Sequence, residues 1–163
     1  MRYILFTLAI FLPALAMADS PAALGPSGGK FGDWTAASYG TGSVKVCYAF
    51  TDAQSSKPNW KSRGKVMLTV TQRAGIRDEV TLAAGYTYLK DAKVQLSVGS
   101  KSFDFYTEGG NAFTSSGAGA VAAFINGNAA TATSTGPHGH PVKDQFSLTG
   151  FSGAYKAIST ACK

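Results

Sequence analysis

From position 65 onward the chain alternates. In KVMLTVTQ, Val66, Leu68 and Val70 fall on one side, and Lys65, Thr69 and Thr71 on the other. The same two-residue period recurs in EVTLAAG with Val80 and Leu82, and in KVQLSVG with Val94, Leu96 and Val98. It appears again in KSFDFYT with Phe103 and Phe105, and in KDQFSLT with Phe146 and Leu148. Successive side chains of an extended strand point to opposite faces, so each stretch predicts a strand with one face in a core and the other in water. Turn-forming segments separate the stretches: RAGIRD, AAGYTYLKDAK, GSK and TEGGN. Gly99-Ser100 suits a tight hairpin. Many short strands so spaced predict a mainly β domain, an antiparallel β-sandwich or a barrel-like sheet.

Two stretches change period. In FSGAYKAISTAC, Phe151, Tyr155, Ile158 and Cys162 share one stripe at helical spacing, which predicts a C-terminal helix near 151–161. AGAVAAFING predicts a short helix near 118–127, ended by Gly127. SVKVCYAF poses a separate question. Val44, Val46, Tyr48 and Phe50 share its apolar face, and Cys47 falls on the other with Lys45 and Ala49. Either the C-terminal helix covers that second face, or a bulge turns Cys47 inward.

The first residues bear on the compartment. MRYILFTLAIFLPALAMADS has a basic Arg2, an apolar run over Tyr3–Leu15 and small Ala16 and Ala18 at the positions a signal peptidase reads. This layout predicts a signal peptide over 1–18. The apolar run is shorter than the roughly 20 residues that span a bilayer comfortably. No other apolar run is long enough, so the mature chain is expected to lack a transmembrane span. DSPAALGPSGGK (19–30) reads as a flexible lead, and 31–163 as a single β-rich domain. Of 15 Lys and Arg against nine Asp and Glu, only Arg2 precedes the expected cleavage site, so the formal charge changes from +6 to +5. A moderately basic exported protein suits anionic polysaccharide or lipid headgroups. Export leaves nucleic acid as an unexpected partner.

Export also places Cys47 and Cys162 in an oxidising space, where two cysteines allow one internal pairing. The bond would span 115 residues. Closing so long a loop contributes about 4–5 kcal/mol in chain-entropy terms, and it would tie down a terminal segment otherwise prone to fray. An intermolecular bridge and two free thiols are the alternatives.

Three segments invite a chemical reading. KPNWKSRGK sets Lys57, Lys61, Arg63 and Lys65 around Trp60, a pattern able to stack on a sugar and neutralise an anion. The plainer alternative is a solvated loop with one amphipathic anchor. GPHGHP carries both histidines, His138 and His140, but tetrahedral zinc takes three or four protein ligands, and no metal is expected. GPSGGKF departs from a phosphate-binding loop in spacing, in Phe31 for the hydroxyl residue and in lacking a preceding strand. No G-x-S-x-G elbow or marked carboxylate pair is present. The chain is therefore expected to be non-enzymatic, with no catalytic residues and no cofactor. A hydrolase is the alternative, supported only by the compartment.

The ordered set FGDW, VKVCYAF, RGKVMLTVTQR, IRDEVTLAAGY, SVGSKSFDFYTEGGNAF and DQFSLTGFSGAYKAISTAC resembles the invasion-associated locus B family of exported alphaproteobacterial proteins across about 31–162. The resemblance implies a β-rich domain in the periplasm or at the outer surface of a Gram-negative envelope. The implied partner is an unknown envelope or host-surface component, in some bacteria during entry into host cells. It supplies no catalytic residues. Some members carry a further cysteine soon after the GDW tryptophan. Ser38 and Tyr39 occupy that region here, leaving one bridge. GPHGHPVK stands where relatives have a Ser/Thr/Gly-rich hairpin, which makes the histidines a local variation in a turn.

Overall fold

The computed structural model describes residues 20–163, and the signal peptide expected over 1–18 lies outside the described residues. The alternating stretches are strands. In chain order they are β1 (Ala22–Ala23), β2 (Lys30–Phe31), β3 (Trp34–Tyr39), β4 (Val46–Asp52), β5 (Ser55–Lys57) and β6 (Met67–Arg73). β7 (Ile76–Ala83), β8 (Val94–Val98), β9 (Lys101–Glu108), β10 (Asn111–Phe113), β11 (Ala129–Thr135) and β12 (Pro141–Ser147) follow. The helices are α1 (Pro26–Gly29), a single turn, then α2 (Gly117–Asn126) and α3 (Phe151–Ala161). The strands form one antiparallel sheet in the order β1-β3-β4-β6-β7-β10-β9-β8-β11-β12-β5, with β2 also on β3. The mainly β class holds, as does the C-terminal helix.

The sheet curls without closing. β5 continues β4 past Ala53 and Gln54, where Ala53 N–H donates to Val66 O at 2.9 Å and Gln54 N–H to Gln145 O at 2.8 Å. One run of chain thus leaves β3 and β6 and joins β12 on the far half of the sheet. The curl faces Leu68, Val70, Val80, Leu82, Leu96 and Phe146 onto a shared core.

β4 resolves the question set by Cys47. Cys47, Ala49 and Thr51 face the core, while Val46, Tyr48 and Phe50 are half-buried on the outer face and Val44 is 73% exposed. No bulge is involved; α3 covers the Cys47 side, over β3 and β4. Small residues, Ala36 and Ala49, lie on this inner face and let the helix approach. The bulkier apolar set marks the outer face, where Tyr48 and Phe50 shelter one another with ring centroids 6.0 Å apart.

A joint between the two ends of the described chain holds α3 down. Trp34 is fully buried, donates from Nε1 to Ser147 O at 3.0 Å and meets Phe151 edge-on at 4.7 Å. Phe151 in turn meets Phe124 of α2 at 5.3 Å. Asp33 N–H donates to Thr149 O at 3.1 Å. Gly150 sits at φ +89° just before α3, and a Cβ there would collide with the Phe31 carbonyl, so only glycine fits. At the other end of α3, Cys162 is bonded to Cys47. Lys45 Nζ donates to Ala161 O at 3.1 Å and the Arg77 guanidinium to Cys162 O, two cations on the negative end of the helix.

Part of the expected flexible lead is tied to this joint. Ala22 and Ala23 pair with Ser38 and Ala37, Leu24 N–H donates to Ala36 O at 2.9 Å, and Gly29 is buried. The Pro, Gly and Ser content of 24–30 shapes a tight turn against the edge of β3.

Cutting the tether tests its weight. Cys162→Ser, or reduction of the wild-type protein, should lower unfolding stability by about 3–5 kcal/mol in a urea titration, with the far-ultraviolet β signal retained. An unchanged midpoint would show that packing alone holds α3.

Candidate functional site

The loop from β5 to β6 carries the basic stretch around Trp60, and the structure treats its cations differently. Arg63 turns inward. Its guanidinium makes a bidentate pair with Asp144, Nη1 to Oδ1 at 2.8 Å and Nη2 to Oδ2 at 2.7 Å, and Nε donates to Ala84 O at 2.8 Å. Both side chains are 3% exposed. The guanidinium lies 4.9 Å from the centre of the Trp60 ring and 5.1 Å from that of Tyr86, a cation held against two π-faces. Lys65 pairs with Asp52 at 3.1 Å in solvent. Lys57 and Lys61 are exposed.

The loop is clamped as well as paired. Gly64 N–H donates to Gly85 O at 2.8 Å. Gly85 has φ +73°, and a Cβ there would run into the Gly64 carbonyl. Trp60 therefore rests on a defined base: Tyr86 at 5.7 Å, then Tyr88 against Tyr86 at 5.2 Å. Tyr86 shares a hydrogen bond with Ser134 at 2.8 Å. Burial pushes both phenols above their ordinary value, Tyr88 further than Tyr86. The Tyr88 hydroxyl is buried with no hydrogen-bond partner among the described residues.

Against this base lies the histidine turn. Gly136 N–H donates to His140 O at 2.8 Å and closes the loop between β11 and β12. That places His138 and His140 across from Trp60. A recess of about 350 Å³ opens between them, lined by Pro58, Trp60, Pro137, His138, His140 and Val142, with Ser62 beside the ring. Two segments some 75 residues apart in sequence thus form one site. Its equipment is an indole, two proline rings, two imidazoles and a hydroxyl. An apolar body with a few polar groups set into it suits a ligand with a flat apolar face and hydroxyls at its edge, the outline of a sugar ring. Among the described residues no three His, Cys, Asp or Glu side chains gather in metal-binding distance.

Tyr86, Asp144 and the histidine turn were not expected at Trp60. One signal was present. Asp144 has the parity of Phe146 and Leu148 in KDQFSLT, which places a carboxylate on the core face, and a buried carboxylate needs a cation. Nothing in the one-dimensional pattern names Arg63 as that cation.

A family model described as Invasion associated locus B (IalB) protein matches residues 34–159. No curated protein and no solved structure matches the chain.

Asp144→Asn leaves the Arg63 charge buried without its partner and should cost about 3–5 kcal/mol of stability. The paired change Arg63→Met/Asp144→Leu should cost much less, and equal losses would show that the charges are not coupled. Tyr88→Phe removes a hydroxyl with no hydrogen-bond partner among the described residues, so stability at pH 7 should hold or rise by up to about 1 kcal/mol. The folded Tyr88 phenol resists ionisation, so as pH passes 10.0, where a free tyrosine loses its proton, stability falls. Tyr88→Phe should make that alkaline fall shallower in chemical-denaturation curves collected from pH 8 to 11.

Proposed function

The chain belongs to the invasion associated locus B family, and from that premise we propose that it is an exported envelope protein acting by binding or scaffolding. Its place is the periplasm or the outer surface of the cell, and its partner an envelope or host-surface component. The family is not a known family of enzymes. The Cys47–Cys162 bond is compatible with export, because such bonds form and persist in oxidising compartments. Among the described residues no helix is long and apolar enough to cross a membrane.

The observation that carries the binding reading is the recess at Trp60. Its volume falls within the range of small-molecule sites, roughly 300–1,000 Å³. Its indole is held in place by Arg63 and Tyr86 before any ligand arrives, which lowers the ordering cost of binding. This favours a carbohydrate-binding role for the segment 57–65, with Trp60 as the stacking ring and Lys57 and Lys61 at the approach. Arg63 acts from beneath as the support of that ring. A hydrolase reading has the compartment alone in its favour.

Probing an array of bacterial envelope and host-surface glycans with the wild-type protein and with Trp60→Ala tests this. The wild type should retain a defined set of glycans, and Trp60→Ala should bind them at least about tenfold more weakly, the loss of one well-packed aromatic contact. Equal binding by the two proteins would remove the recess from the reading, and turnover of any retained glycan would overturn the non-enzymatic assignment.

A further inference from the structure

Beside the recess, two lysines face each other where sheets ordinarily avoid it. Lys57 on β5 and Lys143 on β12 are direct register partners. Like charges directly opposite on an antiparallel pair destabilise it. Both are exposed, and neither is ion-paired among the described residues. Together with Ser55 and Gln145 they line a depression of about 100 Å³. Ser55 Oγ donates to Gln145 Oε1 at 2.9 Å, which occupies the amide's acceptor and leaves its Nε2 hydrogens without a protein acceptor among the described residues. The depression therefore offers two ammonium groups and an amide N–H, and no free carboxylate.

Its position links it to the Trp60 site. Lys57 is followed by Pro58 and Lys143 is preceded by Val142, and both of those neighbours line the recess. Side chains alternate along a strand, so Lys143 stands on the outer face while Val142 is buried on the core face, and the depression and the recess lie on the two faces of the same strand pair at the β5 edge of the sheet. Lys143 lies in KDQFSLT, 86 positions from Lys57, and no basic cluster in the sequence marks it.

We propose that Lys57 and Lys143 form an anion subsite around the β5 edge from the Trp60 recess, so that the ligand is an acidic glycan, a sugar chain carrying carboxylate, sulfate or phosphate groups that folds over that edge. The inference rests on the recess as the binding site and adds the charge of what it takes. One ring of the glycan stacks at Trp60, and an acidic substituent on a ring further along the chain sits between the two ammonium groups. The anion relieves the repulsion between the lysines, so the bound state is favoured by the same feature that strains the free one.

The test compares polygalacturonate (carboxylate groups), heparin (sulfate groups) and neutral dextran as ligands of the full mature chain by titration calorimetry, at two salt concentrations. The proteins are wild type, Lys57→Gln/Lys143→Gln, Trp60→Ala and the charge-matched control Lys101→Gln/Lys156→Gln. All four lysines are exposed, so the control should melt as the wild type does and Lys57→Gln/Lys143→Gln at the same temperature or slightly above it. Wild type should bind at least one acidic glycan, more weakly at the higher salt, and leave dextran unbound. Lys57→Gln/Lys143→Gln should lose about tenfold or more in affinity, the effect of removing hydrogen bonds to a charged group, and the control much less. Equal losses in the two lysine variants would show a general effect of net charge and overturn the subsite. Binding of dextran as tight as that of the acidic glycans, abolished by Trp60→Ala and untouched by Lys57→Gln/Lys143→Gln, would overturn the acidic specificity and leave the recess standing. No binding of any glycan by the wild type would overturn both.

Discussion

The fold depends on α3 lying across an open sheet. Strands β3 and β4 turn their smallest residues toward the helix, and without it Trp34, Ala36, Cys47 and Ala49 would face water. A closed barrel would need no such cover. This sheet leaves its edge strands apart, and the helix supplies the missing wall. It is fixed at both ends by unlike means. Its first turn is held by the Trp34–Phe151 contact and by a glycine that lets Phe31 and Gly150 cross. Its last turn is held by the Cys47–Cys162 bond and by two cations on its carbonyls. A covalent link restricts the unfolded chain most when the loop is long, and this loop takes in most of the domain.

A partly buried polar network completes that wall. Gln72 is fully buried on the core face of β6, donates to Asp78 Oδ1 at 2.7 Å and accepts from Asp78 N–H at 3.0 Å. Tyr155 of α3 donates to the same carboxylate at 2.9 Å. The helix is thereby set in rotation as well as in place, because apolar contact alone tolerates sliding and directed hydrogen bonds do not. The Arg63–Asp144 pair has the same character on the other half of the sheet. Burying that pair offers little net stability, since desolvation offsets attraction. What it contributes is position: the guanidinium plane sets the Trp60 ring, and the ring sets the recess.

Structure and proposed role therefore meet at one place. The loop 57–65 is neither a free solvated arm nor a simple basic patch. One of its cations is structural, one is paired at the surface, and the exposed pair Lys57 and Lys61 flanks a ring that the fold holds still. The histidine turn, unremarkable as a turn, becomes the opposite wall. In the proposed role the recess is formed before a partner arrives, and binding does not rely on folding around it.

Much of the fold was legible in one dimension because it rests on local periodicity. Strands β6, β7, β8, β9 and β12 follow from alternation, and helix α3 follows from a stripe. Composition alone did not show that part of the Pro- and Gly-rich lead, Ala22 to Leu24, is pinned to a sheet edge. At β4 the alternation separated the two faces and offered the C-terminal helix as one cover for the Cys47 side, and the structure places the smaller residues under that helix. The sequence by itself determined the strand pattern, the last helix and, through two cysteines, the only internal bond they allow. Only the tertiary structure decided that Arg63 belongs to Asp144, that Trp60 faces the histidine turn and that Lys57 opposes Lys143. Each of these pairs spans more than 70 residues and is set by which strands lie side by side; alternation fixes the face a residue takes, but not the distant strand it meets.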